Sequence, residues 1–490
     1  MLVVLIALSL LKYDMVWMTV NFLDLMMINA DTISYLRTIR RDLDRYVIVA
    51  LALALPALWL LWRIDSMRVR LRSAVIGFFA CFAGLIATGM AYPHEDWQAF
   101  YGDSFVSKFS RSGVAAVPGL LTHGYLESDA AVGDRLRSLA DASCTPTGKP
   151  PHIILLHDES SFDIRALPGV KVPPDYGAHF QSADGKARRL ITEAVGGASW
   201  YAEYNVLAGL SARSFGRFAY YVTQIAAGRV ERGLPAALRR CGYRTFSLYP
   251  ARGAFMSARR FQTTAGVQTF YDQDALGSKD GVEPDRFYYD AALRMIERER
   301  SEGPLFMFVY LSGNHYPWDY QWRPDLTPQW QNAGNPPQVD EYLRRQSMSF
   351  RDYADLLRRL ERQFPGEAFL LVRYGDHQPD FASSMLEPML DDAARSRRLM
   401  SYDPRYYTTY YAIDAIGFQP VRLGSAFDTI EAPYLPLALL EAAGLPLDPS
   451  FAEQRNILGR CSGLFYGCAG GAEARRFNRL LIDAGLIKGL

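Results

Sequence analysis

The chain has 490 residues and a formal net charge of +1. This length allows one large domain with additional segments, or two to four smaller domains. The balanced charge argues against a nucleic-acid-binding surface and against an acidic tail. Aromatic residues make up 13% of the chain, which is consistent with a large core and with a groove that faces sugar or lipid.

Two uncharged apolar stretches lie in the first hundred residues. Tyr46–Trp62 and Ala74–Tyr92 each approach the length of about 20 residues that crosses a bilayer. The loop between them, Arg63–Arg72, is basic, so the positive-inside rule predicts that it is cytoplasmic. Residues after Tyr92 are then expected outside the cytoplasmic membrane, in the periplasm of a cell that has two membranes.

The residues before Tyr46 leave the number of spans open. Met1–Leu11 and Met15–Ile28 are apolar but short. We expect one further span here, or the end of a span that begins before this sequence. A cleaved signal peptide is the alternative, but no basic start precedes the apolar run and no clear small-residue cleavage site follows it.

Residues 93–150 are rich in Gly, Ser and Ala and are predicted to be a connector with one helix near Asp129–Ala142. Short apolar runs then alternate with helical periodicity over residues 151–447, and residues 448–490 form a tail. The pattern predicts strands at His152–Leu156, Arg244–Leu248, Leu305–Leu311 and Phe369–Val372, and helices at Arg232–Cys241, Tyr288–Glu302 and Gln346–Phe364. Strands separated by helices predict an α/β domain with a mainly parallel central sheet and helices on both faces, preceded by an α-helical transmembrane region.

Four cysteines fall in the part that is predicted to lie outside the membrane: Cys144, Cys241, Cys461 and Cys468. An even number suits an oxidising compartment, and the loop from Cys461 to Cys468 is compact enough for one disulfide to close it. Four free buried thiols are the alternative, and the pairing stays open. A zinc site is disfavoured because no histidine or CxxC spacing accompanies these residues.

Potential metal ligands follow two of the predicted strands. Gly375-Asp376-His377 comes after Phe369–Val372, and Glu159 comes shortly after His152–Leu156. Because open α/β sheets keep their sites at the carboxyl ends of strands, these side chains are expected at one edge of the sheet. A solvated turn with an incidental histidine is the alternative for either motif alone.

The two residues before Glu159 are expected to play lesser roles. His157 is assigned to the opposite face of the strand end, with a structural or outer-shell role rather than ligation. Alternation along the strand likewise favours Glu159 over Asp158 as the ligand.

A third motif, Gly196-Gly197-Ala198-Ser199, predicts a tight turn that leads into a helix. Ser199 then lies at or near a helix N-terminus, where backbone N–H groups and the positive end of the dipole suit a nucleophile that attacks a phosphoryl centre. An N-cap serine is the alternative at the same position.

These motifs, together with Ser312–Pro317, occur in an order that resembles the alkaline phosphatase/sulfatase superfamily. The resemblance is greatest to its membrane-anchored branch, which contains lipoteichoic acid synthases, phosphoglycerol transferases of periplasmic glucans and phosphoethanolamine transferases. It covers about Pro151 to Leu447, and the preceding apolar stretches fit the same branch.

The resemblance implies that Glu159, Ser199, Asp376 and His377 bind one divalent ion and that Ser199 is also the nucleophile. The mixed donor set suits Mn²⁺ or Zn²⁺ and does not distinguish them. His315 matches a pocket histidine that contacts the phosphoryl group or the leaving oxygen. The transferases usually carry Thr at the nucleophile position, so the serine here is a departure from their pattern.

Other candidate substrate-binding residues have structural alternatives. Arg252, Arg259 or Arg260 could hold a phosphate oxygen, and a solvated basic helix face is the favoured alternative. Trp318 and Trp200 flank the motifs and could stack on a sugar, although packing in the core is the default.

The resemblance predicts a multi-pass protein of the cytoplasmic (inner) membrane with an extracytoplasmic catalytic domain. Its activity would be metal-dependent transfer of a phosphoglycerol or phosphoethanolamine headgroup from a phospholipid to a glycan or lipid, through a phosphoserine intermediate. The alternatives are a phosphodiesterase of the same superfamily and a catalytically inactive, lipid-sensing membrane protein. A sulfatase is disfavoured because the segment from Ser199 to Glu203 lacks the Pro and Arg that formylglycine formation requires. A phosphomonoesterase is disfavoured because the chain has only seven histidines for a second metal site.

Overall fold

A computed structural model describes residues 5–10, 12, 19–39, 43–65, 69–91, 105–130, 133, 135–136, 144–146, 148–278 and 281–490. The chain forms two compact units, Met1–Gly124 and Tyr125–Leu490.

The first unit is helical. Its helices are α1 (Phe22–Met27), α2 (Ala30–Ile39), α3 (Leu43–Ile64), α4 (Leu71–Ala91) and α5 (Phe105–His123). Within the described part of the chain, one helix is long and apolar enough to cross a membrane, over Leu71–Thr88 of α4, and α3 contains a shorter apolar stretch, Leu51–Ile64. Apolar side chains on both helices are exposed, including Leu53 and Phe78.

The structure supports the two predicted membrane spans to different degrees. Ala74–Tyr92 overlaps the candidate span of α4, whereas Tyr46–Trp62 falls in α3, which has only the shorter apolar stretch. More than one crossing remains a prediction. The segments before Tyr46 lie partly outside the described residues.

The stretch that was predicted to be a connector contains α5, which the sequence analysis did not anticipate. Pro118 lies inside this helix, and Gly113 and three serines further lower its intrinsic helix propensity. The helix expected near Asp129–Ala142 falls largely on residues that the structure does not describe.

The second unit is built on an eight-stranded sheet of order β4-β3-β5-β1-β6-β7-β2-β8. The strands are β1 (His152–Asp158), β2 (Arg188–Ile191), β3 (Arg244–Leu248), β4 (Thr269–Tyr271), β5 (Leu305–Tyr310), β6 (Phe369–Gly375), β7 (Thr408–Ile416) and β8 (Thr429–Glu431). The block from β4 to β6 is parallel, β7 is antiparallel to both β6 and β2, and β2 is parallel to β8. The sheet is thus mixed rather than uniformly parallel.

Helices of the second unit follow most strands. They are α6 (Trp200–Ala208), α7 (Val222–Ala226), α8 (Leu234–Arg240), α9 (Ala258–Thr264), α10 (Gln273–Leu276), α11 (Asp285–Glu299), α12 (Pro337–Gln363), α13 (Asp380–Leu386), α14 (Asp392–Met400), α15 (Pro404–Tyr407), α16 (Leu435–Ala442), α17 (Pro449–Cys461) and α18 (Ala472–Asp483). All seven elements predicted from periodicity are present, with ends that shift by a few residues or, for α12, by nine at its start.

Both faces of the central strands are buried. Ile154 and Leu156 of β1 pack in a core cluster with α11 and α12. Ile153 and Leu155, which point to the other face, are equally inaccessible. The continuous apolar runs of β1, β5 and β6 therefore reflect strands that are covered on both sides, as in other α/β sheets.

Two disulfides join the four cysteines of the second unit. Cys144 pairs with Cys241, and Cys461 pairs with Cys468 across a separation of 7 residues. The second pair is the one that the compact loop predicted. Such pairs form and persist in oxidising compartments.

Candidate active site

The site lies where the carboxyl ends of β1 and β6 meet. The two strands are parallel neighbours with Asp158 opposite Gly375, so the residues that follow them emerge side by side. A Cβ atom at position 375 would lie 1.7 Å from the carbonyl oxygen of Ser161. Only glycine allows this approach, which brings Glu159 next to Asp376 and His377.

A turn with unusual backbone geometry positions Ser199 at the carboxyl ends of β1 and β6. Gly196, Gly197 and Ala198 have φ values of +66°, +149° and +58°, and α6 begins directly after Ser199. A positive φ at an alanine is uncommon and is typical of constrained functional turns. The Ser199 hydroxyl makes no capping hydrogen bond to the first turn of α6. The capping alternative is therefore excluded for this side chain.

The Ser199 hydroxyl instead faces the strand-end residues. Its Oγ lies 3.2 Å from His377 Nε2 and 3.3 Å from Glu159 Oε2. His377 Nε2 lies 3.5 Å from Glu159 Oε1 and 3.4 Å from Asp376 Oδ2. Donors that bind one ion tetrahedrally at about 2.0–2.2 Å are separated from each other by about 3.3–3.6 Å. The four predicted ligands are thus brought together at distances that fit a single divalent ion.

Surrounding hydrogen bonds orient these donors. Asp376 Oδ1 accepts from the backbone N–H groups of Ser160 and His377 at 2.7 and 2.9 Å, which leaves Oδ2 towards the cluster. The Nδ1 of His377 lies 2.9 Å from the carbonyl oxygen of Gln378 and can donate to it, so that Nε2 keeps a lone pair. Glu159 accepts from the hydroxyl of Tyr310 at 3.0 Å.

The electrostatics favour a charged cluster. Burial raises the pKa of Glu159, but the hydrogen bond with His377 and the charges of His315 and His377 outweigh it and hold that pKa well below its usual range. Burial lowers the pKa of His377, but Asp376 and Glu159 raise it to about 9. The lowered pKa of Glu159 and the raised pKa of His377 both mean that this buried cluster favours a positive charge, which a proton on His377 or a metal cation can supply.

His315 lies at the rim and is exposed, with its Nδ1 2.6 Å from the carbonyl oxygen of Tyr316. Its charge is among those that lower the pKa of Glu159, so the two residues are within electrostatic reach. The loop that carries it is held by Arg345 of α12, which donates to the carbonyl oxygens of His315 and Pro317 at 2.8 Å each. Arg345 is 1% exposed and is paired with Glu341 at 2.6 Å.

The other candidate substrate residues have partners elsewhere. Arg252 pairs with Asp274 at 3.2 Å, and Arg259 pairs with Asp272 at 2.6 Å. Among the described residues, no contact joins either guanidinium to the four metal-binding candidates. A role for these arginines in substrate binding stays a prediction.

Trp318 and Trp200 are packed side chains. Trp318 is 4% exposed and packs against Tyr342 and Phe381, with ring centroids 5.6 and 5.5 Å away. Trp200 is also buried and donates to the carbonyl oxygen of Tyr220 at 2.7 Å. Both tryptophans are therefore explained by packing in the core, without the need for a role in substrate binding.

The expectation for His157 was wrong about its direction. Residues two apart on an extended strand share a face, so His157 points to the same side as Glu159. The ligand atoms of His157, Glu159 and Asp376 all lie within 4.8 Å of one another. The alternation of side chains along a strand, in which every second residue shares a face, could have revealed that His157 and Glu159 lie together. Asp158 points to the other face as expected, where its carboxylate accepts from Tyr410.

Known proteins resemble parts of this chain. The family model described as Sulfatase matches residues 194–398. A curated relative, the capsular polysaccharide biosynthesis protein RkpI of Rhizobium meliloti (strain 1021), is 28% identical over 255 residues. That match covers 49% of this chain and 44% of the relative, so the chain spans less than half the length of this relative.

Solved structures resemble this chain to different degrees. The phosphoglycerol transferase GacH of Streptococcus pyogenes, in complex with sn-glycerol-1-phosphate, gives a TM-score of 0.50 at 17% identity, over 72% of this chain and 86% of that one. The lipoteichoic acid synthase LtaP of Listeria monocytogenes gives a TM-score of 0.43 at 16% identity, over 64% and 76% of the two chains.

The α/β fold with its strand-end donor cluster resembles a sulfatase-like domain. The resemblance of this chain to the alkaline phosphatase/sulfatase superfamily is confirmed by the family-model match, which includes Ser199, His315, Asp376 and His377. Glu159 precedes the matched region and enters the site through the pairing of β1 with β6.

Proposed function

We propose that this chain is a membrane-anchored, metal-dependent transferase. It moves a phosphoglycerol or phosphoethanolamine headgroup from a phospholipid to an extracytoplasmic glycan or lipid, through a phosphoserine at Ser199. The observation that carries the proposal is the Ser199 hydroxyl, which leaves its own helix uncapped and faces Glu159 and His377 instead.

In the first step, Ser199 Oγ forms a bond to the phosphorus and the bond to the diacylglycerol oxygen breaks. Glu159, Ser199, Asp376 and His377 would hold a divalent ion, which when bound would lower the pKa of the hydroxyl and neutralise charge on the phosphodiester. The Ser199 proton passes to solvent as the hydroxyl ionises. Protonated His315 then gives a proton to the leaving oxygen.

In the second step, an acceptor hydroxyl attacks the phosphoserine and the bond between phosphorus and Ser199 Oγ breaks. Neutral His315 takes the proton of the acceptor and is protonated again, while Ser199 Oγ leaves as the alkoxide and takes a proton from solvent, so both residues return to their starting states. Donor and acceptor react one after the other at the same serine, so the kinetics are of the ping-pong type. The rim position of His315 suits this exchange because it leaves the histidine accessible from solvent.

Features outside the site support the location and the donor. The apolar stretch Leu71–Thr88 is long enough to anchor the chain in a bilayer, where a phospholipid donor resides. The two disulfides are consistent with a catalytic unit outside the cytoplasm.

The headgroup and the acceptor are proposed from the similarity of this chain to known proteins. Phosphoglycerol is favoured over phosphoethanolamine because the segments around Glu159 and His315 resemble the glycerol-phosphate branch. A glycan acceptor accords with the similarity of this chain to a capsular polysaccharide biosynthesis protein.

A donor assay on the full chain in detergent tests the proposal. The protein is incubated with Mn²⁺ or Zn²⁺ and with phosphatidylglycerol or phosphatidylethanolamine labelled in the headgroup, and the release of diacylglycerol is followed. We expect release with one donor and none with Ser199→Ala. Free labelled glycerol phosphate without transfer to any acceptor would favour the phosphodiesterase alternative, and no release despite bound metal would contradict both activities.

A further inference from the structure

His157 is a fully buried imidazole that the mechanism above does not use. Its side chain is 0% exposed. Its ring stacks on Tyr310, with centroids 3.9 Å apart, and meets the edges of Phe308 and Tyr374. Aromatic contacts on these sides fix the orientation of the ring, so the directions of its two nitrogens are set by the fold.

The two nitrogens have different surroundings. Nδ1 lies 2.6 Å from the hydroxyl of Tyr374. Nε2 lies 3.1 Å from Asp376 Oδ2, yet within the described chain neither of these two atoms has a hydrogen-bond partner. The contact is short enough for a hydrogen bond but does not have the geometry of one. This arrangement is the one expected when the lone pair of His157 Nε2 and the carboxylate oxygen Asp376 Oδ2 both point at one ion.

We infer that His157 is a further nitrogen ligand of the metal site, in addition to Glu159, Ser199, Asp376 and His377. Nδ1–H then donates to the Tyr374 hydroxyl, and this outer hydrogen bond fixes the tautomer that leaves the Nε2 lone pair free for the ion. The 3.1 Å distance to Asp376 Oδ2 is close to the spacing of the other donor pairs in the cluster.

A second imidazole changes which metal the site prefers. Carboxylate and hydroxyl oxygens suit Mn²⁺, whereas imidazole nitrogens suit Zn²⁺. With both His157 and His377, the donor set contains two nitrogens and favours Zn²⁺ over Mn²⁺. This inference rests on the metal site of the proposed function and is independent of the transfer reaction.

X-ray absorption at the zinc edge of the full chain, loaded with one equivalent of Zn²⁺, counts the imidazoles bound to the metal. We expect two in the wild type. One imidazole would overturn the role of His157 and leave the proposed metal site standing, whereas failure to bind zinc or manganese would overturn both. This measurement needs no variant and so does not depend on how well a variant folds.

A variant series tests the metal preference. His157→Gln should weaken Zn²⁺ binding by more than the roughly 10–100-fold that loss of an outer-shell partner causes, and Mn²⁺ binding by less than Zn²⁺ binding. Equal losses for the two metals would overturn ligation and leave His157 as an outer-shell residue, and no loss would overturn both roles. Tyr374→Phe should weaken Zn²⁺ by roughly 10–100-fold, since it removes only the partner of Nδ1.

His152→Gln is the matched control. His152 is buried at 3% exposure on the same strand, about 16 Å from His157 by the rise of a β-strand. Its ring lies 3.5 Å from Glu367 at the opposite end of β1, so its replacement should leave the affinity for either metal unchanged. Thermal unfolding of the metal-free variants separates a loss of ligation from a loss of fold.

Discussion

Replacement of Gly375 by alanine tests whether the approach of two strand ends builds the site. The added Cβ would lie 1.7 Å from the carbonyl oxygen of Ser161 and 3.3 Å from Thr409 Cβ. Because carbon and oxygen atoms do not approach within about 3 Å, the end of β6 must move by more than about 1 Å. Overpacking of this kind typically destabilises a protein by about 1–3 kcal/mol. The larger effect is expected on the site, since donors now spaced by 3.2–3.5 Å would no longer converge on one ion.

The assay for Gly375→Ala combines urea unfolding of the metal-free protein with titration of Zn²⁺. We expect a moderate loss of stability and a loss of metal affinity and of headgroup transfer, of roughly 100-fold or more in rate for a misplacement of about 1 Å. Gly424→Ala is the control, because its backbone φ is −66° and no atom lies within 4 Å of the added Cβ. Unchanged metal affinity in Gly375→Ala would refute the reasoning that strand approach positions the ligands.

Three further perturbations have defined outcomes. Arg345→Met should free the loop that carries His315. We therefore expect kcat for headgroup transfer to fall while the affinity for Zn²⁺ stays near that of the wild type. An equal loss of kcat and of Zn²⁺ affinity would contradict the separation of loop and metal site. Burial, with the charge of Asp158 second, raises the pKa of Asp285 to about 8, above its unfolded value of about 3.9. The folded state therefore retains the proton, and the free energy of unfolding should fall as the pH rises from 5 to 8, with a smaller fall in Asp285→Asn by urea unfolding at both pH values. Replacement of Cys144 and Cys241 by serine, which opens a separation of 97 residues, should cost about 2–5 kcal/mol of stability, and no change would contradict a disulfide between them.

The parallel core of the sheet was accessible from the sequence because its strands are continuous apolar runs with helices between them. β2 and β7 were not. Arg188–Ile191 is four residues long and begins with two arginines, and Thr408–Ile416 contains polar residues that pair with neighbours far away in the chain. Such strands are specified by tertiary pairing more than by local pattern.

The candidate site shows a similar division. Glu159, Asp376 and His377 follow recognisable strands, so their meeting could be predicted. The role of Ser199 could not be decided locally, because a capping serine and a nucleophile occupy the same helix start and only the contacts of the hydroxyl distinguish them.

Arg345 was beyond sequence reasoning for a different reason. In the chain it belongs to a helix with many charged residues, which resembles a solvated surface. Its burial becomes understandable only when the loop carbonyls of His315 and Pro317, some thirty residues earlier, are seen to accept from it.

Mass spectrometry of the Ser199 peptide tests the central claim most directly. The full chain is incubated with divalent metal and phosphatidylglycerol in the absence of an acceptor, then quenched in acid and digested. The account predicts a glycerol-phosphate adduct on Ser199 that disappears in Ser199→Ala and when an acceptor is added. Diacylglycerol release from the wild type without any adduct at Ser199 would contradict a covalent mechanism at this residue.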